Sequence, residues 1–269
     1  MSLLHYTDAS AVMSIVQNKE LWLTDIRFMN DSEEVIDGAK HISQAVKNLN
    51  ISGDASHDIA LKHLQDFNVD DVLTDLNDVH MFLCSFSRAK DLLSQWRSYG
   101  LYAIEFDELI IGESAELSNC IYNPYEKFVK AKELVTKARE EIACELYKED
   151  LISTYDAMQY IWALGDAVTL FKHQSFSEEN EVRIIQKENS FSEEINYRAR
   201  GDHLIPYLKL QFPLEAVKAI HIGPMKHQAL AAASMKSFIN NIDIFHQKPN
   251  FQGKLRIEVI CSNTPYRAI

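Results

Sequence analysis

Residues 125–173 are patterned for helix and are flanked on both sides by strand-like apolar runs, a division that sharply restricts the folds open to this chain. Phe128, Ala131, Val135, Ala138 and Ile142 step by three and four residues, the spacing of one apolar helical stripe. A second helical run follows with Met158, Trp162 and Val168, and the two fit an antiparallel pair inserted between β elements. Upstream, Leu3–Tyr6, Glu20–Thr24, His80–Phe86 and Leu101–Phe106 read as strands. Downstream, Val182–Gln186, Ile195–Ala199, Leu204–Leu210, Val217–Ile222 and Leu255–Cys261 do the same, with a helix over 226–239. Strands and helices in separate runs predict an α+β fold.

Local signals place further helices. Thr7 or Asp8 can cap one that buries Val12, Ile15 and Val16. Asp31 can cap another, with Glu34 reaching back as in a capping box and Val35, Ala39, Ile42 and Val46 following. Residues 50–79 are polar with short helical patterns and read as a variable surface segment, and Asp91–Tyr99 as a short helix. The 269 residues show no repeat and no clear linker, so one domain over 1–269 is expected, with its helical insertion at about 125–173.

Glycine usage narrows the chemistry. No two of the eight glycines lie within ten residues of each other, which removes both G-x-G-x-x-G and G-x-x-x-x-G-K-[ST] phosphate loops. Lys+Arg is 27 against 39 Asp+Glu, a net charge of −12, which argues against a surface built throughout for nucleic acid but leaves room for a local basic pocket. Cys84, Cys120, Cys144 and Cys261 form no C-x-x-C and have no histidine at zinc spacing; buried thiols are expected, in a reducing cytoplasm. The ten histidines are scattered and no metal site is expected. No signal peptide and no membrane span is expected, since no apolar run reaches ~18 residues.

Five constellations could carry chemistry. His5-Tyr6-Thr7 ends the first strand, where polar side chains can hold a ligand; alternatively His5 satisfies a backbone group and Tyr6 packs. In Cys84-Ser85-Phe86-Ser87, alternation puts Ser85 and Ser87 on one face, opposite Phe86, able to orient a carboxylate or a sugar, or the pattern could be ordinary edge-strand alternation. In Ser94-Gln95-Trp96-Arg97-Ser98-Tyr99, Gln95 and Tyr99 share a helical face; Trp96 and Tyr99 could stack on a flat ring and Arg97 hold a phosphate or a carboxylate, or the aromatics could be core with Arg97 covering the surface. Glu179, Glu181 and Arg183 alternate onto one face of a strand, so that Arg183 could pair with one carboxylate and leave the other for chemistry, or the set could be a solvated strand edge or a structural ion pair. Pro265-Tyr266-Arg267 adds an aromatic and a cation after the last strand.

With Leu21-Trp22-Leu23, Asn30-Asp31 and Glu34, Phe171-Lys172-His173, Pro206-Tyr207 and Ile222-Gly223-Pro224, these motifs resemble a widespread bacterial family of uncharacterised domains, across almost the whole chain in order. More loosely, the order His, Ser-x-Ser, Glu-x-Glu resembles that of ADP-ribosyltransferases. The expected core is a split sheet of mixed, mainly antiparallel strands carrying the inserted helix pair, and the resemblance implies NAD as substrate. It implies that His5 holds NAD, that Ser85 and Ser87 brace the site, that Glu181 stabilises the oxocarbenium-like ribose as nicotinamide leaves, and that Glu179 positions the acceptor. A fixed carboxylate suits this chemistry, because it favours the cationic transition state over the ground state. The sequence departs from the pattern in the 96 residues between Ser85 and Glu181 and in Phe86, where a small residue is usual. With no glycine loop, Arg27, Arg97, Arg183 and Arg267 are the candidates for the pyrophosphate.

The expected activity is thus ADP-ribosyl transfer or NAD hydrolysis by a toxin or phage-defence effector, with a protein or nucleic-acid acceptor. The alternatives are a non-catalytic nucleotide-binding sensor using the same pocket, or a protein-interaction module presenting the helical pair.

Overall fold

In a computed structural model, residues 1–29, 32–66, 79–148, 160, 164–165, 167–246 and 257–265 are described. The fold is α+β, with a mixed, mainly antiparallel sheet. In chain order the elements are β1 (Ser2–Thr7), α1 (Ala9–Asn18), β2 (Glu20–Asp25), α2 (Ser32–Lys47), α3 (Ala55–Gln65), β3 (Val79–Ser87), α4 (Leu93–Tyr99) and β4 (Tyr102–Asp107). They continue with α5 (Glu108–Gly112), β5 (Ser118–Asn119), α6 (Pro124–Lys148), β6 (Glu181–Asn189), β7 (Asn196–Arg200), β8 (His203–Gln211), β9 (Val217–Ile222), α7 (Gln228–His246) and β10 (Glu258–Cys261). The sheet order is β10-β9-β4-β1-β3-β2-β8-β7, with β6 and β5 attached beside β3. Only the β9–β10 pair is parallel among the described strands.

β3 is the branch point. One edge pairs along its whole length with β6, from Val79↔Asn189 to Ser87↔Glu181. The other edge is shared, with Phe82 and Leu83 pairing to β2 and Ser87 to Leu4 of β1. Between those contacts β1 and β2 part. His5 fills part of the gap by donating from Nδ1 to the Ser85 carbonyl, 3.0 Å away, in place of a ladder bond.

The inner face of the sheet holds the main core. Leu3, Phe82, Cys84, Phe86, Ile104, Phe106, Val182 and Ile184 meet Val12, Ile15 and Val16 of α1 and Met235, Ile239 and Ile242 of α7. Met81–Cys84 of β3 and Ala103–Phe106 of β4 are buried without alternation, because the opposite face of these strands is covered as well. Asp8 rather than Thr7 caps α1, accepting from the Ala11 amide at 2.8 Å. Asp8→Ala leaves that amide without its cap and should cost about 1 kcal/mol, read as a fall in the urea midpoint.

A second core is helical. Ala131, Val135, Ala138 and Ile142 of α6 pack on Ala39, Ile42 and Val46 of α2, on Ala60, Leu61 and Leu64 of α3, and on Val168 and Phe171. Two expectations change here. Residues 55–65 are not a surface segment but a helix with a buried face, and Phe128, counted in the apolar stripe, is exposed. Met158, Trp162, Asn30, Asp31, Tyr266 and Arg267 lie outside the described residues, as do most of the second helical run and the Glu34 side chain. The thiols also divide. Cys84 and Cys120 are buried, whereas Cys144 and Cys261 are exposed.

Among the described residues no helix is long and apolar enough to cross a membrane, and no group of three or more His, Cys, Asp or Glu side chains is placed to hold a metal.

Candidate functional site

The register of β3 brings three of the motifs to one level. Leu4 of β1 faces Ser87, and Ser87 faces Glu181 of β6. Directly paired residues share a face, so Leu4, Tyr6, Ser85, Ser87, Glu181 and Arg183 all lie on the outward face, the one opposite Phe86, where all but the half-buried Ser85 are themselves covered. His5 points the other way. Its ring lies 5.8 Å from that of Phe86, on the core side. Burial lowers its pKa against the opposing pull of the Ser85 carbonyl, so the imidazole is neutral at pH 7.

Glu181 sits in a buried ion cluster. Its carboxylate accepts from Arg183 Nε at 2.6 Å and from Lys172 Nζ at 2.6 Å, and Lys172 also reaches Glu179 at 2.7 Å. Arg183 donates to the Thr169 carbonyl as well. Lys172 is 2% exposed and Glu181 5%, so two carboxylates and two cations neutralise one another out of water. Burial would raise the Glu181 pKa, but the charges and hydrogen bonds of Arg183 and Lys172 outweigh it and hold the carboxyl at about 2. Lys172 is fixed through its backbone, since its amide donates to the Ile121 carbonyl at 3.0 Å, while the Tyr122 hydroxyl accepts from the Glu181 amide at 2.8 Å. Glu179 does not extend the strand. It ends a 3-10 turn over Gln174–Glu179, and Asn180, at φ 43°, swings the chain into β6. Lys172 gathers the two carboxylates despite that break.

The serine motif serves as a brace. Ser87 Oγ donates to the Glu179 carbonyl and accepts from the Ala89 amide at 3.0 Å, which locks the turn before β6 to the end of β3. Ser85, half-buried, lies beside Arg183 in register. The Cys84 thiol is pushed up to about 12 by burial and by the Glu181 charge, so it is inert as a nucleophile.

α4 sits over the same face. Ser94 Oγ donates to Glu178 at 3.1 Å, which joins the helix to the 3-10 turn. Trp96 is buried against Tyr6, ring centroids 4.6 Å apart, and its indole donates to Asp91 at 2.9 Å. Asp91 also takes the Asn263 amide at 3.2 Å, tying the last segment to the start of α4. Tyr6 donates to the Ala89 carbonyl at 2.9 Å, and burial raises its pKa to about 12. Gln95 is buried, whereas Arg97 and Tyr99 are exposed. Arg97 has no ion pair among the described residues; Arg27 is held by Asp25 at 2.6 Å.

Two polar groupings were not legible as chemistry. Lys172 carried no spacing signal, because its partners come from the far side of a turn. His221 pairs with Glu105 across 116 residues, Nε2 to Oε2 at 2.6 Å, with Lys90 on the other carboxylate oxygen at 2.7 Å. Burial acts to raise the Glu105 pKa, and Lys90, Ser2 and His221 together bring it down to about 2.

No curated protein and no solved structure matches the chain. Residues 95–184, which run from Gln95 on α4 through the Lys172–Glu179–Glu181–Arg183 cluster, match the model of a family described as Protein of unknown function (DUF2971), which supports an uncharacterised domain family for that stretch.

Proposed function

We propose that the protein is an ADP-ribosyltransferase-like enzyme that uses NAD at the outward face of β3 and β6. The observation that carries this reading is the level register of Leu4, Ser87 and Glu181, which puts the strands of the His and Ser-x-Ser motifs beside the Glu181 end of Glu-x-Glu at the split of the sheet, with the His5 ring itself turned to the core face. In the reaction the bond between ribose C1′ and the nicotinamide nitrogen breaks, its electron pair leaves with nicotinamide, and an acceptor oxygen or nitrogen bonds C1′ and loses its proton. Glu181 stabilises the positive charge on the ribose and Glu179 orients the acceptor. Both roles require the Lys172 ammonium to withdraw, because a carboxylate already neutralised by two cations offers little field to a third. Arg97, exposed and without an ion pair among the described residues, is the cation available to the pyrophosphate.

The test uses NAD labelled on adenine or nicotinamide, with and without cell lysate. Wild type releases nicotinamide or labels an acceptor, and Glu181→Gln lowers the rate by about 10²–10³, the usual scale for loss of one electrostatic stabiliser. Neither product from wild type would end the enzyme reading. A second reading, a nucleotide-binding sensor without turnover, is favoured by the closure of Glu181 between Lys172 and Arg183. It expects saturable NAD binding by calorimetry with no nicotinamide released.

A further inference from the structure

The outward face that carries Ser85 and Glu181 continues across the sheet. Ile185, Leu83, Thr24, Tyr207 and Asn196 form one row over β6, β3, β2, β8 and β7. At about 4.8 Å per strand this row is roughly 19 Å long. At its far end Arg198 and Arg200 project from the same face of β7, opposite Ile205 and His203. The Arg198 guanidinium lies 5.4 Å from the centroid of the Trp22 ring and 5.8 Å from that of Tyr207, and those rings are 4.4 Å apart at 31°. Its Nη2 donates to Thr24 Oγ1 at 2.9 Å.

Arg198 has no carboxylate partner among the described residues. It is half-buried, and its pKa is lowered first by burial and then by the like charge of Arg200. The two rings and a hydroxyl hold the guanidinium in place without neutralising it. In a chain with 39 acidic residues against 27 basic ones, two neighbouring arginines that pair with no acid among the described residues are an uncompensated positive site. Glu20, an acid on this face, is already engaged. It accepts from the Trp22 indole at 3.0 Å and lies 3.7 Å from Lys209. His203 and Arg200 stand exposed at the β7–β8 turn.

We infer that the Trp22–Arg198–Arg200 strip, backed by the buried Tyr207 ring, binds single-stranded nucleic acid, with phosphates on the two arginines and unpaired bases stacked on the indole and the guanidinium plane. An anion alone would need only the charges. The planar stack beside them fits a ligand that alternates anionic groups with flat rings, and bases in a duplex have no free face to offer. The net charge of −12 does not prevent this, because repulsion from distant carboxylates is screened beyond about 8–10 Å at physiological salt. As the acceptor of the proposed transfer, such a strand depends on the enzyme reading; its binding does not.

The experiment is fluorescence anisotropy without NAD, using fluorescein-labelled oligo(dT) of about 15 nucleotides, the matching duplex and a polyglutamate competitor, from about 50 to 200 mM salt. The single strand binds at least tenfold more tightly than the duplex and resists polyglutamate. Arg200→Gln, at an exposed position, weakens binding several-fold and reduces the slope of log K against log salt by about 0.7; Arg198→Gln with Arg200→Gln reduces it by about 1.4. Absence of saturable oligo(dT) binding at low salt, equal affinity for the duplex, displacement by polyglutamate at equal charge, or an unaltered Arg200→Gln variant each overturns the inference. Oligonucleotide binding without nicotinamide release leaves it standing and rejects only the enzyme reading.

Discussion

Lys172→Met should lower the unfolding free energy by about 3–5 kcal/mol, measured by urea denaturation at pH 7. The side chain is 2% exposed and bridges Glu179 and Glu181 at 2.7 and 2.6 Å, so the substitution strands Glu179 and leaves Glu181 to Arg183 alone. Unpaired charge out of water, rather than lost packing, dominates the cost, since methionine nearly matches lysine in volume. Adding Glu179→Gln removes the orphaned charge and should recover about 1–2 kcal/mol, a coupling that a packing defect would not show.

The same cluster sets an acid limit. The Glu181 carboxyl is at about 2 in the folded chain and has an ordinary value of 4.5. The folded value is the lower one, so its stabilisation is complete above 4.5 and is lost as pH falls from there through about 2. That gap corresponds to about 3 kcal/mol. In Lys172→Met the folded carboxyl moves back toward 4.5, and stability falls less steeply across this window than in wild type. An unchanged slope would mean that Arg183 alone holds the carboxylate.

The strands were legible because their apolar faces are continuous. Val217–Ile222 has the expected bounds, and β3, β4, β6, β7 and β8 differ from theirs by one to three residues at an end. α3 was hidden, since Ala60, Leu61 and Leu64 give only a narrow stripe in polar sequence and become a buried face only when α2 and α6 arrive. Alternation found the common face of Ser85 and Ser87 and the Glu181–Arg183 pair, which are local in sequence. It could not find the Glu105–His221 contact across 116 residues, nor Lys172, whose lever on both carboxylates depends on the αL residue Asn180 between them. Placing Glu179 and Glu181 on one strand face assumed an unbroken strand; the turn breaks it, and one lysine rejoins the pair. The direction of His5 follows from the pairing Leu4↔Ser87, a register that spacing within the chain does not encode.

Gly100→Ala should cost about 3–4 kcal/mol, far more than Gly201→Ala at about 1 kcal/mol, although both glycines have positive φ. Gly201 has open space where a Cβ would stand, so alanine there meets only the backbone penalty. At Gly100 φ is 129°, and a Cβ would lie 2.4 Å from the Thr7 carbonyl oxygen and 3.0 Å from the Asp8 amide nitrogen. These backbone atoms are ill placed to yield, since Thr7 pairs with Tyr102 of β4 and Asp8 caps α1. Relief has to come from the α4–β4 turn, which carries Trp96 over Tyr6 and Ser94 toward Glu178. The histidine motif and the Ser-Gln-Trp motif are therefore joined by a close backbone contact that admits no side chain. Equal urea midpoints for the two alanine variants would show that this contact yields and that φ alone sets the cost. A Gly100→Ala midpoint far below that of Gly201→Ala, with reduced near-ultraviolet dichroism from the Trp96–Tyr6 pair, is the result expected of an α4 held in place by β1.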